Sequence, residues 1–225
     1  MNKTQILQNT IAFVKETLQG AEGGHDWFHT HRVFLNATQI AKEEEPIDTF
    51  VVSLGALLHD IADSKFYHGD ETIGPKIARN FLEKQQVSKH VIEHIENIIK
   101  HISYKSSLSA NRGGNFKQGF SSKELDIIQD ADRLDAIGAI GIARCFNYGG
   151  FKNRELYNPE IPPNLHMTKE EYKHTASPTI NHFYEKLLLL KDTMNTKTGK
   201  QIATNRHTYM EQFLEQFYAE WNGEK

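Results

Sequence analysis

Residues 50–61 read FVVSLGALLHDI and form the most apolar candidate segment for the core. Its apolar side chains fall on most sides of a helix, so the spacing predicts a central helix that neighbouring helices cover. His59 and Asp60 stand at its end, where an imidazole and a carboxylate are costly to bury unless they pair or bind a metal ion. Adjacent helical residues point about 100° apart, so both side chains can reach a cation that lies between their directions.

Two interpretations of this His-Asp pair are open when it is taken alone. In the first, the two side chains only cap the C-terminus of a helix, which is the commoner role of such a pair. In the second, they are ligands of a metal ion. The choice between them depends on the rest of the chain.

The sequence before this stretch also has helical spacing. A first amphipathic segment ends at a group of glycines that begins with Gly20, and its apolar face consists of Leu7, Ile11, Val14 and Leu18. A second helix is expected from about Asp26, its candidate N-cap, to Glu44, and Pro46 closes it.

Helical periodicity continues after residue 61. Residues 73–81 and 91–102 each predict a helix. Ser121 and Glu124 have the spacing of a capping box and predict the start of another helix. The segment with Gly138 and Gly141 predicts a helix packed closely against another backbone. Two more helices are expected between about residues 176 and 222.

Two stretches lack this periodicity, namely residues 103–122, rich in Ser, Asn and Gly, and residues 147–177, which contain Pro159, Pro162 and Pro163. Both are expected to be exposed loops, and the first is of the kind that often serves as an active-site flap. No segment alternates convincingly as a strand does, so the fold class is all-α. We expect a single domain over residues 1–225.

Composition excludes several classes of function. Lys and Arg total 26 against 29 for Asp and Glu, and this balance gives no general attraction to nucleic acid polymers or to an anionic membrane. Residues 1–20 lack the apolar centre of a signal peptide, and no apolar run approaches the roughly 20 residues that a membrane span needs. The single cysteine, Cys145, permits no internal disulfide, so the expected location is the cytoplasm.

The His-Asp pair is accompanied by an earlier His29 and a later Asp132. The three sequence words are DWFH at 26–29, LLHDIAD at 57–63 and DADRLD at 130–135. A His, a later adjacent His-Asp pair and a still later Asp, each on a different helix, resemble the pattern of the HD superfamily of metal phosphohydrolases. The resemblance extends from about residue 24 to residue 144. The C-terminal part looks like that of a bacterial subgroup of small HD proteins that resemble nucleotide pyrophosphohydrolases.

The resemblance implies an HD-domain helical bundle with an additional C-terminal helical part packed on it. It also implies one divalent metal ion, with the ligands His29, His59, Asp60 and Asp132. Two neutral imidazoles and two carboxylates form a mixed nitrogen and oxygen shell that suits Mn, Fe, Co or Mg, with Mn favoured. Such a shell leaves positions open for water and substrate.

Asp63 is the candidate catalytic base. It lies three residues after Asp60, on nearly the same helix face, where it could orient or deprotonate a water activated by the metal. Asp60 shares this catalytic assignment as the neighbouring ligand. In the resembling family an acidic residue near this place assists hydrolysis. The alternative for Asp63 is a surface salt bridge with Lys65.

Five further residues are candidates for substrate binding, because they lie close in sequence to a predicted ligand or end a helix before the first loop. They are Arg32, Lys65, His101, Arg133 and Asp135. Cations next to the metal would hold phosphate. The alternatives are that Lys65 is only solvated and that His101 only interacts with its helix dipole.

Two other groups of histidines were candidates for ligands. His25 and Asp26 also spell His-Asp, but they precede a helix, so capping is the better interpretation. His90, His94 and His101 could help to build a two-metal site, as in other branches of the superfamily. Those branches usually show a paired His-His, which this sequence lacks, so one metal is favoured.

The leading functional hypothesis is an enzyme that hydrolyses (deoxy)nucleoside triphosphates to a monophosphate and pyrophosphate. One alternative is a hydrolase of nucleoside monophosphates or cyclic nucleotides. Another is a module that binds a nucleotide without turnover, against which the intact ligand set argues. The expected partner is a small phosphorylated molecule, with no nucleic acid polymer and no membrane, and a homodimer is one alternative for the assembly.

Overall fold

The computed structural model describes residues 2–21, 24–62, 70, 72–102, 119–165 and 177–225. Every regular element in these ranges is a helix, which confirms the all-α prediction. The α-helices are α1 (Lys3–Thr17), α2 (Trp27–Glu43), α3 (Thr49–Leu58), α4 (Ile73–Lys84), α5 (Lys89–His101), α6 (Lys123–Asp135), α7 (Gly138–Phe151), α8 (Asn181–Glu185) and α9 (Lys197–Trp221), with a 3₁₀ helix at Leu187–Thr193.

The chain forms two compact units, Met1–Asp132 and Arg133–Lys225. The boundary falls inside α6, so the last three residues of that helix belong to the second unit. The expectation of a single domain, with the C-terminal helices packed on the HD core, stays a prediction.

Helix α3 is the centre of the first unit, as its apolar composition predicts. It contacts α1, α2 and α5. A Cβ atom added at Gly55 would lie 2.5 Å from the Ile128 side chain, so α6 also passes close to α3. Eight of its residues are buried, namely Phe50, Val51, Val52, Leu54, Gly55, Ala56, Leu57 and Leu58. A helix buried on so many sides is held firmly, and it fixes the position of whatever follows Leu58.

Helix α2 begins where the sequence predicts. Asp26 is its N-cap, and the Asp26 Oδ1 atom accepts a hydrogen bond of 2.8 Å from the His29 backbone N–H. Its buried face includes His29 together with Val33, Ala37 and Ile40. The same cap that starts the helix therefore also sets the turn on which His29 lies.

Two details of the first unit differ from the prediction. The buried residues of α1 are Ile6, Thr10 and Val14. Thr10 occupies a core-facing position because its hydroxyl donates to the Ile6 carbonyl at 2.8 Å, and an apolar pattern does not mark such a residue. The cap of α6 is Ser122 rather than Ser121, since the Ser122 hydroxyl accepts from the Leu125 N–H at 3.1 Å.

The second unit is built around α7, the 3₁₀ helix and α9, and α9 contacts both of the others. The rings of Phe146, Phe183 and Phe213 pack against one another with centroids 5.9 to 6.0 Å apart, and Phe183 is fully buried. Helix α7 continues to Phe151, so the second irregular stretch begins later than predicted. The predicted helix around residues 180–190 is divided into α8 and the 3₁₀ helix.

Most of the two predicted loops lies outside the described residues, at 103–118 and 166–176. Among the helices that the structure describes, none combines the length and the apolar character required to cross a membrane.

Gly141 lies close to backbone, but to that of Ala136 in the turn before α7 and not to another helix, and this close approach generates a stability test. A Cβ atom at this position would lie 2.2 Å from the Ala136 carbonyl oxygen. We expect Gly141→Ala to lower the free energy of unfolding by roughly 1–3 kcal/mol, because backbone atoms must move to admit the methyl group. Urea unfolding followed by circular dichroism measures the change.

Gly150→Ala, in the same helix, is the matched control. Nothing lies within 4 Å of a Cβ atom placed there. Its effect should stay within about 1 kcal/mol and favour the folded state, because Ala has the higher helix propensity. Equal destabilisation by both substitutions would contradict the packing argument.

Candidate metal centre

Three helices of the first unit bring together three of the four predicted metal ligands. His29 lies in the first turn of α2, His59 directly follows α3, and Asp132 lies in α6. Each residue offers a ligand atom, and these atoms lie within 4.8 Å of one another. His29 and His59 are buried, while Asp132 is partly exposed, so the group is open to solvent on the carboxylate side.

The orientation of His59 is fixed by the end of α3. Its Nδ1 atom lies 2.8 Å from the Ala56 carbonyl oxygen, and because a carbonyl only accepts, Nδ1 carries the proton. In the neutral ring Nε2 therefore keeps its lone pair. Nε2 is buried and has no hydrogen-bond partner among the described residues. A buried polar atom without a partner costs about 1–3 kcal/mol, and a metal ion would satisfy it.

His29 occupies the middle of the group. Its Nε2 atom lies 3.5 Å from Asp132 Oδ1 and 3.9 Å from Asp60 Oδ2. The rings of His29 and His59 are 5.4 Å apart between centroids, at an angle of 63°. Two imidazoles and a carboxylate thus converge on one small volume, which is the donor set that Mn²⁺, Fe²⁺, Co²⁺ or Zn²⁺ accepts.

Asp60 lies at the edge of this group rather than inside it. Its Oδ2 atom is 2.5 Å from His25 Nδ1, and its side chain is 18% exposed. Burial alone would raise the pKa of Asp60, but the hydrogen bond from His25 and the electrostatic attraction of the neighbouring imidazoles outweigh burial. The pKa therefore lies well below its usual range. Asp60 is ionised at neutral pH, which is the form that binds a cation.

The donor set fits a divalent cation on the grounds of this structure alone. Of the residues that the structure describes, His29, His59 and Asp132 are the group with the spacing of metal ligands. The unpartnered Nε2 atom of His59 faces no competing protein donor among them. That Asp60 completes the ligand set stays a prediction.

Comparison with known proteins gives the family. The family described as HD domain matches residues 27–137. YpgQ of Bacillus subtilis, an uncharacterised protein, is 36% identical over 218 residues, which cover 96% of this chain and 94% of YpgQ. This chain belongs to the HD superfamily.

Solved HD structures agree with this assignment over nearly the whole chain. An HD-superfamily hydrolase from Bacillus thuringiensis is 42% identical, with a TM-score of 0.76 and coverage of 98% of this chain and 99% of that one. A crystal structure of B. subtilis YpgQ in complex with ADP is 30% identical in the structural match, with a TM-score of 0.71 and coverage of 98% and 97%. The match extends through both units of the chain, so the C-terminal helices are part of what these HD proteins share.

HD domains bind divalent metals, and the position of Arg32 suits a role beside such a centre. Arg32 lies on α2, three residues after His29, and is partly buried. Residues three apart on a helix are neighbours on its surface. Arg32 therefore remains a candidate contact for an anionic group next to the cluster.

His101 is the last residue of α5, as the sequence predicts. Its Nδ1 atom donates to the Asn97 carbonyl at 2.7 Å, and its own carbonyl accepts from Gln129 Nε2 at 3.0 Å. Its ring lies 5.9 Å from the ring of Phe120. These contacts hold His101 in place, and its role in substrate binding stays a prediction.

Arg133 and Asp135 lie in the second unit and contact protein groups there. Arg133 is 6% exposed and donates to the Thr193 carbonyl at 2.6 Å. Asp135 is 1% exposed, with its Oδ2 atom 2.5 Å from Arg144 Nη1. These contacts hold both side chains in place, and the contribution of both residues to substrate binding stays a prediction. Asp63 and Lys65 lie outside the described residues.

The sequence interpretation missed His25. It assigned His25-Asp26 to capping, and only Asp26 acts in this way. His25 instead bonds to Asp60, and its ring lies 6.0 Å from that of His29. Helical spacing could not have found this contact, because His25 precedes the N-cap Asp26 and lies outside α2.

The cluster predicts that His59→Ala removes metal binding without unfolding the protein. Loss of a direct ligand should weaken Mn²⁺ binding by at least about 100-fold, the upper end of what loss of an outer partner costs. Equilibrium titration of metal-free protein with Mn²⁺ gives the affinity, and circular dichroism gives the helical content.

His90→Ala is the control for this variant. His90 lies on the exposed side of α5 and belonged to the alternative two-metal group. It should leave Mn²⁺ affinity unchanged. Wild-type affinity in His59→Ala would remove His59 from the ligand set.

Proposed function

We propose that this protein is a metal-dependent phosphohydrolase of nucleotides, which hydrolyses (deoxy)nucleoside triphosphates to the monophosphate and pyrophosphate. The observation that carries the proposal is the buried Nε2 atom of His59. It has no hydrogen-bond partner among the described residues and belongs to a group with ligand atoms of His29 and Asp132 within 4.8 Å. A buried nitrogen without a hydrogen-bond partner destabilises the folded state, and a bound cation would remove that cost.

When bound there, a divalent cation supplies Lewis acidity toward a phosphoryl oxygen and makes a water more acidic. The chain supplies the geometry. His29 and His59 are buried and fixed by α2 and α3, whereas the Asp132 side chain is 39% exposed. A substrate therefore has its approach on the Asp132 side, and the imidazoles form the closed side of the site.

Two observations support a nucleotide as substrate. Solved relatives are named HD-superfamily hydrolases, and YpgQ was crystallised in complex with ADP. Arg32 provides a guanidinium one helical turn from His29, a group that pairs with phosphate through two parallel hydrogen bonds. Lys65, which follows the His-Asp pair in sequence, is the second proposed cation for the phosphates.

The proposed reaction is hydrolysis at the α-phosphorus. A water oxygen forms a bond to the α-phosphorus, and the bond from this phosphorus to the α,β-bridging oxygen breaks. Pyrophosphate leaves with that bond's electron pair. Asp63, the carboxylate that follows the His-Asp pair in the sequence LLHDIAD, is the proposed acceptor of the proton of the attacking water.

The first test compares matched triphosphates and monophosphates. If Arg32 and Lys65 hold the β- and γ-phosphates, kcat/KM should be higher for the triphosphate, because a monophosphate satisfies only part of the positive charge. Pyrophosphate and orthophosphate are assayed separately, so the products identify the phosphorus attacked. Lys65→Ala should reduce the ratio of kcat/KM for the triphosphate to kcat/KM for the monophosphate.

Lys89→Ala is the control for the loss of positive charge, because its side chain is 84% exposed and pairs only with Glu93 among the described residues. It should leave the preference intact. Preferential turnover of monophosphates, or a Lys65→Ala variant with the wild-type preference, would favour the monophosphate hydrolase instead. Binding of nucleotides without any phosphate release would favour the nucleotide-binding module.

The second test addresses the proposed base. Asp63→Asn should keep the metal but lower kcat by roughly 10²- to 10⁴-fold, because the amide preserves shape and removes basicity. Asp192→Asn, on an exposed position of the second unit, makes the same chemical change elsewhere and should leave kcat unchanged. Wild-type turnover in Asp63→Asn would assign Asp63 to a surface salt bridge.

A further inference from the structure

His25 is not one of the predicted metal ligands, but it contacts Asp60, which is. His25 Nδ1 and Asp60 Oδ2 are 2.5 Å apart, with side chains 22% and 18% exposed. Asp60 Oδ2 is 3.9 Å from His29 Nε2, so this same oxygen lies next to the metal cluster. The carboxylate of Asp60 therefore bridges His25 and the cluster.

The chemistry of the pair gives the direction of the hydrogen bond. Asp60 is ionised, so its oxygens only accept, and His25 Nδ1 must donate. A carboxylate that is free to rotate presents either oxygen to a neighbouring cation. With Oδ2 held by His25, that rotation is stopped, and the carboxylate keeps a single orientation toward the cluster. Partners of this kind outside the ligand shell orient metal ligands and tune their basicity.

The local backbone explains how His25 reaches Asp60. Asp26 starts α2 by accepting a hydrogen bond from the His29 N–H at 2.8 Å. This cap fixes the chain just before the helix, and the His25 ring then lies edge-on to the His29 ring, with 6.0 Å between centroids and 73° between planes. His25 and His29 thus come from one capped turn, one bonding to Asp60 and the other belonging to the cluster.

We infer that His25 is a positioning residue of the metal centre, which holds the Asp60 carboxylate in the orientation that completes the ligand set. The inference rests on the proposed function, because it requires Asp60 to be a ligand. In this inference His25 supports the metal centre through its hydrogen bond to Asp60, whereas the adjacent Asp26 caps α2.

The test uses Mn²⁺ titration of the metal-free protein, with free Mn²⁺ followed by electron paramagnetic resonance. His25→Phe keeps a ring but removes the donor, and it should weaken Mn²⁺ binding by about 10- to 100-fold. His25→Asn places an amide N–H close to where Nδ1 lies, and it should restore affinity to within about threefold of wild type. A role in packing alone would predict the reverse order, since Phe preserves the ring and Asn does not.

Two controls separate this effect from instability. His31→Phe changes the histidine that stacks on Trp27 in the same helix, with ring centroids 5.2 Å apart, and should leave Mn²⁺ affinity unchanged. Thermal unfolding of each metal-free variant shows whether the fold is intact. If His25→Phe does not fold, His25→Ala removes the donor without introducing a larger apolar ring, and the same loss is expected.

Asp60→Ala distinguishes failure of this inference from failure of the ligand assignment. If Asp60→Ala loses Mn²⁺ binding and His25→Phe keeps wild-type affinity, Asp60 is a ligand and the positioning role of His25 is wrong. If Asp60→Ala itself keeps wild-type affinity, Asp60 is not a ligand, and the predicted ligand set and this inference fail together. Equal losses in His25→Phe and His25→Asn would also overturn the inference, because the donor would then not be what matters.

Discussion

The candidate site is organised around the buried imidazole of His59. Its Nδ1 atom is fixed by a hydrogen bond, and its Nε2 atom has no partner among the described residues. The Ala56 carbonyl takes the Nδ1 proton of His59, and this single hydrogen bond decides that Nε2 is the basic nitrogen. Because that atom is buried, leaving it without a partner is costly, and the cost lowers the stability of the folded state. The fold tolerates it because α3 is packed by α1, α2 and α5 and has no freedom to turn its end toward solvent.

The other components of the site follow from this fixed point. The cap of α2 by Asp26 places His29 beside His59, and α6 brings Asp132 from a distant part of the sequence. His29 and Asp132 lie in α2 and α6 and His59 directly follows α3, so the geometry of the cluster is set by helix packing and not by a local loop. A site built on packed helices is more rigid than one built on loops, which suits a centre that must hold a metal in one geometry.

Two residues near Asp132 in sequence make contacts within the second unit. Arg133 and Asp135 flank Asp132 in sequence, but Arg133 bonds to the Thr193 carbonyl and Asp135 to Arg144. Arg206 also donates to the Leu134 carbonyl at 2.5 Å. Successive helical residues point in different directions, so neighbours of a ligand readily become structural contacts of another part of the protein. A buried carboxylate such as Asp135 requires a cationic partner, and Arg144 provides it.

Apolar periodicity and cap chemistry are local properties, so the sequence alone was enough to predict the all-α class, the buried α3 and the Asp26 cap. The grouping of His29, His59 and Asp132 was expected only from the resemblance to the HD superfamily. Three short sequence words, DWFH, LLHDIAD and DADRLD, carry that resemblance. Three features could be seen only in the folded protein: Ser122 caps α6, polar Thr10 faces the core, and His25 bonds to Asp60 and does not act as a cap. His25 and Asp60 are 35 residues apart in sequence, so their contact exists only in the folded chain. The positions of Thr10 and Ser122 each depend on a single hydrogen bond. Periodicity reports which face of a helix is buried, whereas the partner of a polar atom is fixed only when the helices have packed.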